Sequence, residues 1–184
     1  MSVLPEIPVV DRPRYSKEKL PPYSYVPKQT PHPVSDPTGH WYGREEVVPP
    51  PLSPGDWHAS ETYLYAIDLF NHGYYWEAHE AWESLWHAAG REGTVADWLK
   101  ALIKLAASLV KAREGNPRGV ERHARRSLEL IDLVAAEISE SSFCGLSLAR
   151  VEAIARGFLS ELGNQTLDTN PALLISSWLE LKKN

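Results

Sequence analysis

Thirteen of the fifteen prolines in this 184-residue chain lie between Pro5 and Pro54. Proline lacks a backbone N–H and fixes φ, so a stretch this dense in it excludes long helices and interior strands. The rest of the chain is rich in alanine and leucine and repeats its apolar residues every three or four positions. The chain therefore divides near His58 into a proline-rich extended arm, residues 1–58, and a helical bundle domain, residues 59–184. The arm carries Tyr15, Tyr23, Tyr25, Trp41, Tyr42 and Trp57. That is more aromatic surface than a solvated linker holds, so the arm is expected to wrap the bundle, ahead of serving as a polyproline ligand for a partner. His32 and His40 travel in it and are candidates to deliver ligands to a site on the helices.

Five helices are expected, giving an all-α fold: a compact, mostly antiparallel bundle. Ser60 caps the first, which buries Leu64, Ile67 and Phe70 or Tyr63 and Ala66 and ends at Gly73. The second spans about Tyr74 to Ala89; its stripe of Tyr75, Ala78, Trp82, Leu85 or Trp86, and Ala89 includes His79, while Glu77 and Ser84 point away. The third opens with Thr94 and Asp97 in a capping-box arrangement and packs Trp98, Leu102, Leu105, Ala106 and Leu109 at the centre of the bundle. Asn116 and Pro117 start the fourth, with Val120, Ala124, Leu128, Ile131 and Val134 or Ala135 inward. The fifth covers Ser147 to Leu162, and a short amphipathic piece from Pro171 to Lys182 closes the chain.

The candidate functional cluster lies on the second helix, where His79, Glu80 and Glu83 stand among Trp76, Trp82 and Trp86. A buried imidazole or carboxylate must be hydrogen-bonded, paired or metal-bound, because an unsatisfied polar group costs roughly 1–3 kcal/mol. Two readings follow. In the first the cluster is a structural clamp, with His79 bonded to a carbonyl or Glu83 and the carboxylates taking indole N–H groups or pairing with Lys100, Lys104 or an arginine of the fourth helix. In the second, His79 and Glu83, one turn apart, share a divalent metal with Glu80 beside them. The run His79-Glu80-Ala81-Trp82-Glu83 is similar to a zinc-peptidase His-Glu-x-x-His helix with its second histidine replaced. A di-iron bundle is disfavoured, since the third helix offers no carboxylate between Asp97 and Glu114.

The run Phe70-Asn71, Gly73, Tyr75, Glu77-Ala78-His79-Glu80, Glu83 and Trp86, followed by Leu102-Ile103, Leu105-Ala106-Ala107 and Gly115-Asn116-Pro117-Arg118-Gly119, resembles the helical family called domain of unknown function 309. The likeness covers about residues 60–135. It departs at Ala101, where such sequences often carry glycine before the Leu-Ile pair. The resemblance implies a compact antiparallel helical bundle and no established activity.

Composition narrows the partners. Net charge is −5, and Arg122, Arg125 and Arg126 sit beside Glu121 and Glu129, so nucleic acid is not expected. Lys104 interrupts the most apolar stretch, Ala101 to Val110, and Met1 to Glu6 show no basic region followed by an apolar run, so neither a membrane span nor export is expected. The single cysteine, Cys144, is read as an incidental thiol and fits a reducing, cytoplasmic setting. The leading expectation is a noncatalytic binding or scaffold module whose aromatic cleft near His79 and Trp86 receives a partner segment or the arm itself; across both readings the partner is an unidentified small molecule or protein segment. The alternative is a metal-dependent or acid–base small-molecule enzyme using the same cluster. A homo-oligomer is compatible with either.

Overall fold

A computed structural model of the chain describes residues 7–45, 47–170, 173 and 175–182. Among them are five helices, α1 (Glu61–Asn71), α2 (Tyr75–Ala88), α3 (Thr94–Arg113), α4 (Pro117–Glu137) and α5 (Leu148–Gly163), and one antiparallel ribbon, β1 (Ser142–Phe143) with β2 (Leu146–Ser147). The fold is a packed, mostly helical bundle in which each helix lies against the next along the chain, and α3 sits between α2 and α4.

The helix ends follow their capping residues. The Ser60 hydroxyl accepts from Tyr63 N–H, the Asn116 side chain accepts from Gly119 N–H ahead of Pro117, and the Ser147 hydroxyl accepts from Arg150 N–H. The start of α3 differs from expectation: Gly93 is the cap and contributes no side chain, while the Thr94 hydroxyl is spent on Glu137 at the far end of α4. Cys144, expected in a plain loop, forms the tip of the β1–β2 hairpin with Gly145. Both have positive φ, 44° and 78°, as a tight two-residue turn demands.

Tyr63, Ile67, Leu69, Phe70, Tyr75, Trp82, Leu85, Trp98, Leu99, Leu102, Leu105 and Leu109 are fully buried. At roughly 1.5–3 kcal/mol for each large apolar side chain, this set supplies most of the drive to fold. The Trp98 indole donates to the Tyr63 hydroxyl at 3.2 Å, which satisfies its polar atom inside the core. On α4, Leu130 and Ser127 join the buried face and Ala135 is exposed; the Ser127 hydroxyl donates to Ala101 O at 2.8 Å across the α3–α4 contact.

The irregular segments are fixed by polar residues buried on the helices. Asp68 of α1 accepts the backbone N–H groups of Tyr15 and Ser16 at 2.8 and 2.9 Å and the Ser16 hydroxyl at 2.7 Å, with Arg14 at 3.0 Å. Asn71 bonds both ways with Leu179, and the Tyr75 hydroxyl accepts from Ile175 N–H. Arg113 of α3 donates to Leu173 O and to the Ser24 hydroxyl. A non-helical chain lying on a helix has no ladder for its backbone groups, and these side chains stand in for one. Of the expected amphipathic piece from Pro171 to Lys182, Pro171, Ala172 and Leu174 lie outside the described residues; Leu179 and Leu181 are buried without forming a helix.

Candidate functional site

His79, Glu80 and Glu83 do lie together: one donor atom from each falls within 4.8 Å of the others, and all three are half-buried. The His79 side chain is 23% exposed, and its Nδ1 lies 3.2 Å from Glu80 Oε1. That pair replaces the expected bonds from His79 to Glu83 or to a carbonyl. The carboxylate of Glu83 makes no hydrogen bond or ion pair among the described residues.

The three tryptophans have separate roles. Trp82 is fully buried and packs on Phe70, with ring centroids 5.8 Å apart. Trp86 is held between two cations, Lys100 Nζ 5.1 Å and Arg91 5.4 Å from its ring. Trp76 is covered by the rings of Tyr25, His32 and Trp41, at 5.1, 5.2 and 5.8 Å. None of the three indoles donates to Glu80 or Glu83; the Nε1 atoms of Trp82 and Trp86 are buried without a partner among the described residues. Of the three, Trp76 alone is covered by residues 25–41 of the same chain, and it is on Trp76 that His32 packs.

What remains open beside His79 is a groove between α2, α3 and α4. It holds a solvent-open hollow of about 270 Å³ lined by Trp76 and His79 of α2, Lys104, Lys111 and Glu114 of α3 and its end, and His123 of α4, with Tyr25 and Pro27 as a wall. Glu80 faces the other way and lines a separate cavity of about 520 Å³ with Tyr65, Ser84, Val34 and Trp41. The cluster therefore forms a ridge between two hollows. Within the groove Lys111 is neutralised by Glu114, at 2.7 and 2.8 Å. Burial first, and then Lys100, hold the Lys104 ammonium below its ordinary value; Glu83 opposes them, and Arg122 and Arg126 act with them. His123 is lowered to about 4 by burial and by Lys104, Arg122 and Lys111, so its ring is neutral at pH 7.

One contradiction stands out. Glu77, expected to face solvent, is completely buried, because the N-terminal segment lies on that side of α2. Its Oε1 accepts Tyr25 N–H at 2.8 Å and lies 3.6 Å from His40 Nε2, too far for a hydrogen bond. Burial pushes the Glu77 carboxyl up to about 7 despite the lowering effects of Tyr25 N–H, Arg113 and the Ser24 hydroxyl. Burial and Arg44 lower His40 to about 4. Cys144 is also buried, which raises its thiol to about 12 and leaves it inert at neutral pH. Glu77, Arg113 and His123 were not singled out in the sequence. For Glu77 a signal existed: an arm so aromatic needs a second helix face to cover.

Residues 63–123 match the domain of unknown function DUF309. Over that stretch the chain is similar to the DUF309 family. The match starts at Tyr63 in α1 and ends at His123 in α4, so the DUF309 segment contains every helical residue of the groove. The N-terminal segment that supplies Tyr25 and Pro27 lies outside it. No curated protein matches the chain. No helix among the described residues is long and apolar enough to cross a membrane.

Proposed function

We propose that this protein is a noncatalytic binding module for a small molecule, with its site in the groove between α2, α3 and α4. One observation carries the reading: Lys104 is half-buried beside this surface cavity yet its ammonium makes no hydrogen bond or ion pair among the described residues. Holding a charge in such a place costs free energy unless something compensates it. Trp76, the end of the aromatic face of α2 next to this groove, is covered by the chain's own Tyr25, His32 and Trp41, which favours a small molecule over a partner segment. A volume of about 270 Å³ is at the small end of ligand sites and suits a metabolite rather than a peptide. The test is a thermal-shift screen of neutral, acidic and basic metabolites. Compounds that raise the melting temperature of wild type and not of a folded His79→Ala/Lys104→Ala variant support the groove; compounds that stabilise both equally count against it.

A second reading, a metal or acid–base centre at His79, Glu80 and Glu83, is favoured by the 4.8 Å grouping of their donor atoms. Ligands about 2.1 Å from a common ion lie within roughly 4.2 Å of each other, so modest side-chain rotation would be needed. The neighbouring cations Lys100 and Lys104 weigh against it. Metal analysis of untagged protein purified without chelator decides: near-stoichiometric metal lost in a folded His79→Ala/Glu83→Ala variant makes this the better reading.

A further inference from the structure

We infer that the groove selects a multiply charged small anion, a phosphate monoester in chemical class, with Lys104 as its principal contact and His79, His123 and Lys111 around it. The inference rests on the small-molecule reading of the groove and names its ligand. Its basis is charge accounting across three helices. Lys100 of α3 and Arg122 and Arg126 of α4 act on Lys104, opposed by Glu83 of α2, and the cavity wall itself carries Lys104, Lys111, His79 and His123 against the one carboxylate of Glu114. Several other cations have a carboxylate partner, Arg125 with Glu121, Arg156 with Glu152 and Arg14 with Asp68, and Arg126 is itself paired with Glu129; Lys104 has no such pair among the described residues. The chain as a whole carries net charge −5, so a local surplus of positive charge is not a general property of its surface. Holding the Lys104 ammonium partly desolvated is unfavourable when the hollow is empty and becomes favourable when an anion enters, because the charge then attracts it in a medium of lowered dielectric constant.

The geometry suits such a ligand. Lys104 provides a compact ammonium with three donors, the neutral ring of His123 offers one N–H, and Lys111 can turn from Glu114 toward an anion within the same cavity. The apolar lining of Ala107 and Val110, with the Trp76 ring above, leaves room for the uncharged part of the molecule. A bare inorganic ion and the phosphate of a metabolite share the charged contacts but differ in use of this apolar lining.

The experiment is an NMR titration of the full chain, at constant ionic strength, with inorganic phosphate, with glycerol phosphate and with glycerol. Wild type is compared with Lys104→Gln, Lys104→Arg and, as a remote control, Arg156→Gln. Both phosphates are expected to shift amides around residues 76–79, 104–111 and 123, with glycerol silent. Loss of a charge-assisted hydrogen bond predicts about tenfold or greater weakening in Lys104→Gln, with Lys104→Arg and Arg156→Gln near wild type. Tighter binding of glycerol phosphate than of inorganic phosphate supports a metabolite. Equal affinity of wild type and Lys104→Gln, or shifts scattered over the surface, overturns the anion inference. If phosphates fail while screened neutral compounds still lose their effect in His79→Ala/Lys104→Ala, the anion inference falls and the groove stands. If both fail, both fall.

Discussion

Glu77→Gln isolates the electrostatics of the joint between α2 and the N-terminal segment. The carboxyl of Glu77 has an ordinary value of 4.5 and is pushed up to about 7 in the folded chain, chiefly by burial. Between those two values the folded state binds a proton that the unfolded state has released. Stability contributed by this group is therefore full below pH 4.5 and is lost as pH rises to about 7. At about 1.4 kcal/mol per pH unit, the loss over that window is roughly 3 kcal/mol. His40 has the opposite sign: lowered from 6.5 to about 4, it binds a proton in the unfolded chain first, so its contribution grows with pH through nearly the same window. The two offset each other in wild type, and its pH profile hides both. Glutamine keeps the shape of Glu77 and can still accept from Tyr25 N–H, but does not titrate. Urea unfolding of both proteins in half-unit steps from pH 4 to pH 8 should show the wild-type advantage over Glu77→Gln declining by about 3 kcal/mol between pH 4.5 and 7. A difference that stays constant with pH refutes the reasoning, since it means that Glu77 ionises alike in the folded and unfolded chains.

Asp68→Ala removes the acceptor of three hydrogen bonds to Tyr15 and Ser16 together with the ion pair to Arg14. It should cost about 2–4 kcal/mol in chemical denaturation and speed proteolysis around residues 12–20 before the helices are cut. Gly145→Ala places a Cβ 2.6 Å from the Trp57 ring at a position with φ of 78°. About 2–3 kcal/mol of destabilisation is expected in the same assay, and a value under 0.5 kcal/mol would mean the hairpin tip moves freely away from Trp57. In hydrogen exchange, Trp76→Ala should raise the rates of residues 24–41 at least several-fold while leaving α3 protected, because three rings lose the surface on which they rest.

The helices were legible because their signals are local. Ser60, Asn116-Pro117 and Ser147 cap where they stand in the sequence, and the spacing of three and four puts Trp82, Trp98 and Leu105 inside regardless of what else the chain does. Glu77 was misread for the complementary reason. Helical periodicity places it opposite the stripe, and only the N-terminal segment, with no period of its own, turns that side into an interior. The burial of Asp68, Asn71 and Arg113 has the same origin: each is polar by type and interior because a distant irregular segment needs its backbone satisfied. The grouping of His79, Glu80 and Glu83 followed from helical spacing, but the separation of Glu80 into a different hollow did not, since that depends on where Val34 and Trp41 come to rest. His123 became part of the groove only through the packing of α3 between α2 and α4, a relation no single segment encodes.

The claim that the α2–α3–α4 groove is the binding site is tested most directly by a residue-resolved NMR spectrum of the full chain, titrated with the strongest stabilising compound from the thermal screen. The account predicts saturable shifts at Trp76, His79, Lys104, Lys111 and His123, abolished in His79→Ala/Lys104→Ala. Shifts centred instead on Val34, Trp41, Tyr65 and Glu80, and retained in that variant, would place the ligand in the hollow on the other side of the ridge and contradict it.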